Sequence, residues 1–117
     1  MNKEIQCNKI IQPRSVSEFE NYFSKHNSDK EAIIVYFSAI WNTLCQELSP
    51  LFDDLSSQHN DIKFIKVDCD NCSSTQIEMF RKSFAIPTIV AFKNTEEIQR
   101  YSGNDLKVIH NIIDKLK

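Results

Sequence analysis

Ala32-Ile33-Ile34-Val35-Tyr36-Phe37-Ser38-Ala39-Ile40-Trp41-Asn42-Thr43-Leu44-Cys45-Gln46-Glu47-Leu48-Ser49-Pro50 is the stretch that decides the fold. Its first six residues form an unbroken β-branched and aromatic run, the pattern of a strand covered on both faces. From Thr43 to Ser57 the apolar residues Leu44, Leu48, Leu51, Phe52 and Leu55 return at helical spacing. A buried strand therefore passes through a short turn into a helix. Pro50 inside that helix predicts a kink, because its ring crowds the preceding turn and it lacks an N–H.

The elements on either side alternate in the same way. Lys9 to Gln12 reads as a short edge strand stopped by Pro13. Ser15-Val16-Ser17-Glu18 is a capping box that opens a first helix, with Val16, Phe19, Tyr22 and Phe23 as its buried stripe. Beyond the central helix, Ile62 to Val67 alternates as a strand, and Asp68 to Ser74 is a polar connection. Thr75 to Phe84 predicts a third helix through Ile77, Phe80 and Phe84. Thr88 to Phe92 and Glu97 to Tyr101 read as a hairpin around Lys93 to Glu96. Gly103 and Asn104 break the chain before a last helix, Asp105 to Leu116. The order βαβαβαββα places the chain in the α/β class, with a mixed sheet flanked by helices. Residues 1–7 read as a tail and residues 8–117 as one domain.

Composition narrows the function. The chain has 117 residues with 14 basic and 16 acidic side chains, a net charge of −2. That balance gives no basic stripe for nucleic acid. There is one glycine, Gly103, where average usage would give roughly eight. Gly-rich phosphate loops and dinucleotide fingerprints are thereby excluded. No apolar run approaches the ~20 residues that span a bilayer, and residues 1–10 lack the apolar core of a signal peptide. The expectation is a cytoplasmic, monomeric protein with no cofactor and no membrane or nucleic-acid partner. In that compartment the four cysteines stay reduced unless they are catalytic.

Trp41-Asn42-Thr43-Leu44-Cys45 at the head of a helix, with Pro50 five residues after Cys45, resembles the thioredoxin family. That family carries Trp-Cys-Gly-Pro-Cys there, followed by a proline at the same distance. Ile86-Pro87-Thr88, Phe92-Lys93-Asn94, Val67-Asp68-Cys69-Asp70 and Ser102-Gly103 match further family signatures in the proper order. The resemblance covers residues 8–117 and implies the thioredoxin fold, with a cis bond before Pro87 facing the redox site. It also implies that Asn42 stands where the nucleophilic cysteine belongs, leaving Cys45 at the resolving position. An amide cannot form the attacking thiolate, but asparagine is among the best N-caps. The buried aspartate of the family is replaced by Tyr36, which leaves Lys66 without its partner. The thioredoxin-like domain of multidomain monothiol glutaredoxins and a small spliceosomal thioredoxin-like protein also lose the first cysteine. The motifs do not choose between these branches.

Two function classes follow. As a binding module, the chain would hold a protein or peptide in a groove of Trp41, Ile86, Pro87 and Gly103, without turnover. As an atypical thiol oxidoreductase, it would use Cys45 alone, with glutathione as partner, or Cys69 and Cys72 as a relocated C-x-x-C pair. Cys69 and Cys72 also fit the role of small buried apolar residues. A half zinc site is disfavoured because no second Cys/His pair follows, so no metal is expected. Cys7 reads as a surface thiol. Trp41 is open to two readings, a partner contact or a half-buried core residue. His26, His59 and His110 read as surface residues without a cysteine partner.

Overall fold

A computed structural model describes residues 10–28, 30–70, 77, 79 and 85–117. The elements are β1 (Ile10–Ile11), α1 (Val16–His26), β2 (Ala32–Ser38), α2 (Thr43–Gln58), β3 (Ile62–Asp68), β4 (Thr88–Lys93), β5 (Glu96–Ser102) and α3 (Leu106–Leu116). The tail of residues 1–7, Cys7, Cys72 and all of the predicted Thr75–Phe84 helix except Ile77 and Met79 lie outside the described residues.

The five strands form one sheet in the order β1-β3-β2-β4-β5. β1 and β2 flank β3 in parallel, whereas β4 runs antiparallel to both β2 and β5. β2 is the central strand and every one of its seven residues is buried, as its continuous apolar run requires. Because side chains alternate across a strand, β2 feeds two cores. Ile34 and Tyr36 pack with Phe64, Leu48, Phe52, Ile109 and Ile113 on the α2 and α3 side. Ile33, Val35 and Phe37 pack with Phe19, Ile65, Val67 and Val90 on the α1 side.

The start of α1 follows its sequence signal, while the last helix begins one residue later than expected, at Leu106. Ser15 caps α1 by accepting from the Glu18 N–H, while Glu18 reaches back to the Arg14 N–H. Asp105 caps α3 by accepting from Lys107 N. The β4–β5 hairpin turns through Asn94 and Thr95, at φ 52° and 70°. Asparagine suits the left-handed region. Thr95 is β-branched and sits there at a cost of about 1–2 kcal/mol. Asn94 also ties this turn to the start of β2 by accepting from the Lys30 N–H at 2.7 Å.

Two further details differ from the sequence expectation. The first strand, described from Ile10, ends at Ile11 and leaves Gln12 outside it. Leu44 and Leu51, placed by spacing on the buried stripe of α2, are exposed, whereas Leu48, Phe52 and Leu55 are buried. The sheet covers a narrower face of this helix than the apolar spacing suggests. Among the described residues, no helix is long and apolar enough to cross a membrane.

Candidate functional site at the head of the central helix

The chain leaves β2 at Ser38 and turns through Ala39, Ile40 and Trp41 before α2 begins. Three bonds fix this turn. Asn42 N–H donates to the Ala39 carbonyl at 3.2 Å, Gln46 Nε2 donates to the Ile40 carbonyl at 2.7 Å, and Cys69 N–H donates to the Ser38 carbonyl at 2.8 Å. Asn42 is the N-cap of α2, and its Oδ1 accepts from Cys45 N–H at 3.1 Å. The helix start thus has one of its orphan donors satisfied. Asn42 Nδ2 points the other way, 3.4 Å from the Ile86 carbonyl.

Ile86–Pro87 is a cis peptide bond, and Pro87 is buried at the entry to β4. The Pro87 carbonyl accepts from Gly103 N–H at 3.1 Å. Asn42, Cys45, Ile86, Pro87 and Gly103 therefore form one bonded chain across the end of the sheet. Gly103 has φ +144°, and a Cβ added there would lie 2.6 Å from the Tyr101 hydroxyl oxygen. That same hydroxyl accepts from Asp105 N–H, at the cap of α3. Gly103→Ala is expected to cost about 1–3 kcal/mol through backbone strain and displacement of Tyr101, read as a lowered midpoint in chemical denaturation.

Trp41 is 63% exposed, so the half-buried core reading of this residue is not what the fold adopts. Its indole N–H donates to Asp70 Oδ1 at 3.1 Å, and Asp70 N–H in turn donates to Asp68 Oδ1 at 3.0 Å. The role of Asp70 was not evident in the sequence, since 29 positions separate it from Trp41. Its one cue is a polar residue just beyond the strand that pairs with β2.

Cys45 is a free thiol, 2% exposed, beneath the Asn42 cap. Behind it lies Tyr36, fully buried, whose hydroxyl donates to the Cys45 carbonyl at 3.3 Å and lies 3.0 Å from Ser49 Oγ. Burial above all holds the Tyr36 phenol well above its ordinary range. The nearby Cys45 pushes the same way, and the Ser49 bond opposes it. A phenol held protonated cannot take a proton from Cys45. Lys66 has a replacement for the missing carboxylate, with Nζ 5.9 Å above the Tyr36 ring. A cavity of about 240 Å³ opens on this side, walled by Cys45, Ser49, Lys66, Asp68, Gln12 and Ile40 among others.

Cys69 is half-buried just past β3, and Cys72 lies outside the described residues. His26 Nδ1 lies 3.1 Å from Glu31 Oε1. His59 is more enclosed than a surface residue, with a buried Nδ1 that has no hydrogen-bond partner among the described residues. Among the described residues, no group of three His, Cys, Asp or Glu side chains is gathered to hold a metal.

A family model described as Thioredoxin matches residues 11–115. The chain belongs to the thioredoxin family. It is 30% identical over 101 residues to "Thioredoxin-2, mitochondrial" of Schizosaccharomyces pombe, covering 86% of this chain and 74% of that protein. It is 32% identical over 100 residues to "Thioredoxin domain-containing protein 2" of Mus musculus, covering 86% of this chain but only 19% of that longer protein. Reduced thioredoxin from Schistosoma mansoni superposes with a TM-score of 0.78 at 28% identity, covering 94% of this chain and all of the other. A Nicotiana alata thioredoxin superposes at 0.82 with 21% identity over 99% of each chain, which speaks for the fold alone. The thioredoxin fold, with its mixed five-stranded sheet flanked by helices, is thus established.

Proposed function

We propose that this thioredoxin-family protein is a binding module, linked to redox homeostasis through its family, that lacks ordinary dithiol–disulfide reductase activity. One observation carries the reading. The side chain at position 42 is an amide that caps α2 and bonds to Cys45 N–H, in the place where the family's attacking thiol belongs. Without a thiolate there, no mixed disulfide can form for Cys45 to resolve. Tyr36, a protonated phenol behind Cys45, removes the proton acceptor as well.

The groove keeps what peptide recognition needs. Trp41 is exposed and adjoins in the chain Asn42, whose Nδ2 lies 3.4 Å from the Ile86 carbonyl. Ile86 N–H has no hydrogen-bond partner among the described residues, so an extended segment can bond to it as an added strand does. Among the described residues, the Ile86 carbonyl is engaged only by the long contact to Asn42 Nδ2. A second reading, an atypical thiol oxidoreductase using Cys45 alone, draws on the cavity that Cys45 walls. In its other form, the Cys69/Cys72 pair would carry the exchange.

Trp41 is the chain's one tryptophan, so its fluorescence reports directly on the groove. Titration with unstructured decapeptides centred on Leu or Phe, under reducing conditions, should shift that emission saturably. Binding should persist in Cys45→Ser and in Cys69→Ser/Cys72→Ser. Association that vanishes with either cysteine set would favour the oxidoreductase.

A further inference from the structure

We infer that the segment held at this groove carries an apolar side chain flanked by lysine or arginine. The inference rests on the peptide-binding reading above and adds the charge of the partner. Three exposed apolar side chains fall within five residues at the head of α2. Ile40 is 75% exposed, Trp41 63% and Leu44 42%. Ile40 and Trp41 are adjacent in the turn, and Leu44 follows Trp41 by three residues on the first turn of the helix. Large apolar groups grouped in this way mark a contact surface more than scattered ones do.

Among the described residues, the charged groups tied to this ridge are mostly carboxylates. Asp70 accepts from the Trp41 indole, and Asp68 accepts from the Asp70 N–H. On the opposite flank Glu47, one helical turn beyond Leu44, accepts from Asn104 Nδ2 at 3.0 Å, next to Gly103. Gln46, Asn42 and Thr43, which fill the gaps, are neutral. Among the described cations, Lys66 lies against this set. It is half-buried, sits over the Tyr36 ring, and shares the rear cavity with Ile40 and Asp68. Arg100 is held by Glu97 and the Met79 carbonyl.

A segment laid along the ridge therefore meets an apolar floor between carboxylates. Lysine or arginine beside its apolar anchor gains Coulomb attraction to Asp70, Asp68 and Glu47, and the exposed face of Trp41 attracts the same cations. Glutamate or aspartate at those positions meets like charge from both flanks.

The test uses two decapeptides that differ only in lysine or glutamate on either side of a central leucine, titrated against Trp41 fluorescence. The lysine peptide should bind at least about fivefold more tightly at ~50 mM salt, the scale of one or two exposed charge contacts. That ratio should fall toward one in ~0.5 M salt, where such contacts are screened. Glu47→Gln/Asp70→Asn, which keeps side-chain shape and the indole acceptor, should reduce the ratio to about twofold or less. Equal affinities, or preference for the glutamate peptide, would overturn the charge assignment and leave the groove reading intact. Failure of both peptides to bind would overturn the groove reading itself.

Discussion

Asn42→Cys should give a protein that attacks disulfides much faster than the natural chain. The substituted thiol would sit at the N-cap of α2, where unpaired N–H groups and the helix dipole favour a thiolate. The side chain at this position already reaches the Cys45 N–H, with Asn42 Oδ1 3.1 Å away. Cys45 follows three residues later, beneath the cap, so a resolving thiol is in place. Insulin reduction driven by dithiothreitol should rise at least about tenfold above the natural chain, as expected for a restored nucleophile. Turnover should be limited at resolution, because buried Tyr36 donates to the Cys45 carbonyl and cannot take the Cys45 proton. A mixed disulfide between position 42 and substrate should therefore accumulate and be visible by mass spectrometry. Loss of the asparagine cap costs about 1 kcal/mol, too little to unfold the domain. A folded variant that forms no mixed disulfide would show that the surrounding groove, and not position 42 alone, blocks the chemistry.

Phe52→Ala should be the most destabilising single change in the described core. Phe52 is fully buried. Its ring centroid lies 4.7 Å from Tyr36 and 5.2 Å from Phe64, the latter edge-on. The side chain thus joins α2 to β2 and β3 directly behind the site. Truncation removes its apolar contacts and leaves a cavity between elements that cannot collapse freely, at about 3–5 kcal/mol. Against a total stability of about 5–15 kcal/mol, that is a large share. Thermal unfolding followed by circular dichroism should shift down by about 10–20 °C, given about 4 °C per kcal/mol for a domain of this size. Leu44→Ala is the internal control. Leu44 lies on the same helix but is exposed, so its truncation should stay within about 0.5 kcal/mol. Similar losses from both changes would contradict the division of α2 into a buried and an exposed face.

The parts legible in the sequence are those dictated by local chemistry. The six-residue apolar run became the central strand, since such a run is stable only when covered on both faces. Ser15 and Asn42 became N-caps, because short polar side chains satisfy the donors that open a helix. What escaped the sequence depends on distance or on the width of an interface. Spacing placed Leu44 and Leu51 on a stripe, but only packing decides how much of the stripe the sheet covers. The Trp41–Asp70 bond joins the turn before α2 to the end of β3, and nothing at either position announces the other. Tyr36 was legible as a lost carboxylate. Its new bonds to Cys45 and Ser49 were not, since they depend on how deeply α2 lies against β2.

Insulin reduction by the natural chain, with dithiothreitol as reductant and with Cys45→Ser and Cys69→Ser/Cys72→Ser run alongside, tests the thiol-independent reading most directly. The natural chain should not exceed the rate of dithiothreitol alone, and neither variant should change it. Turnover well above that background, abolished by removing Cys45 or the Cys69/Cys72 pair, would contradict the reading and assign this chain a working, rearranged redox centre.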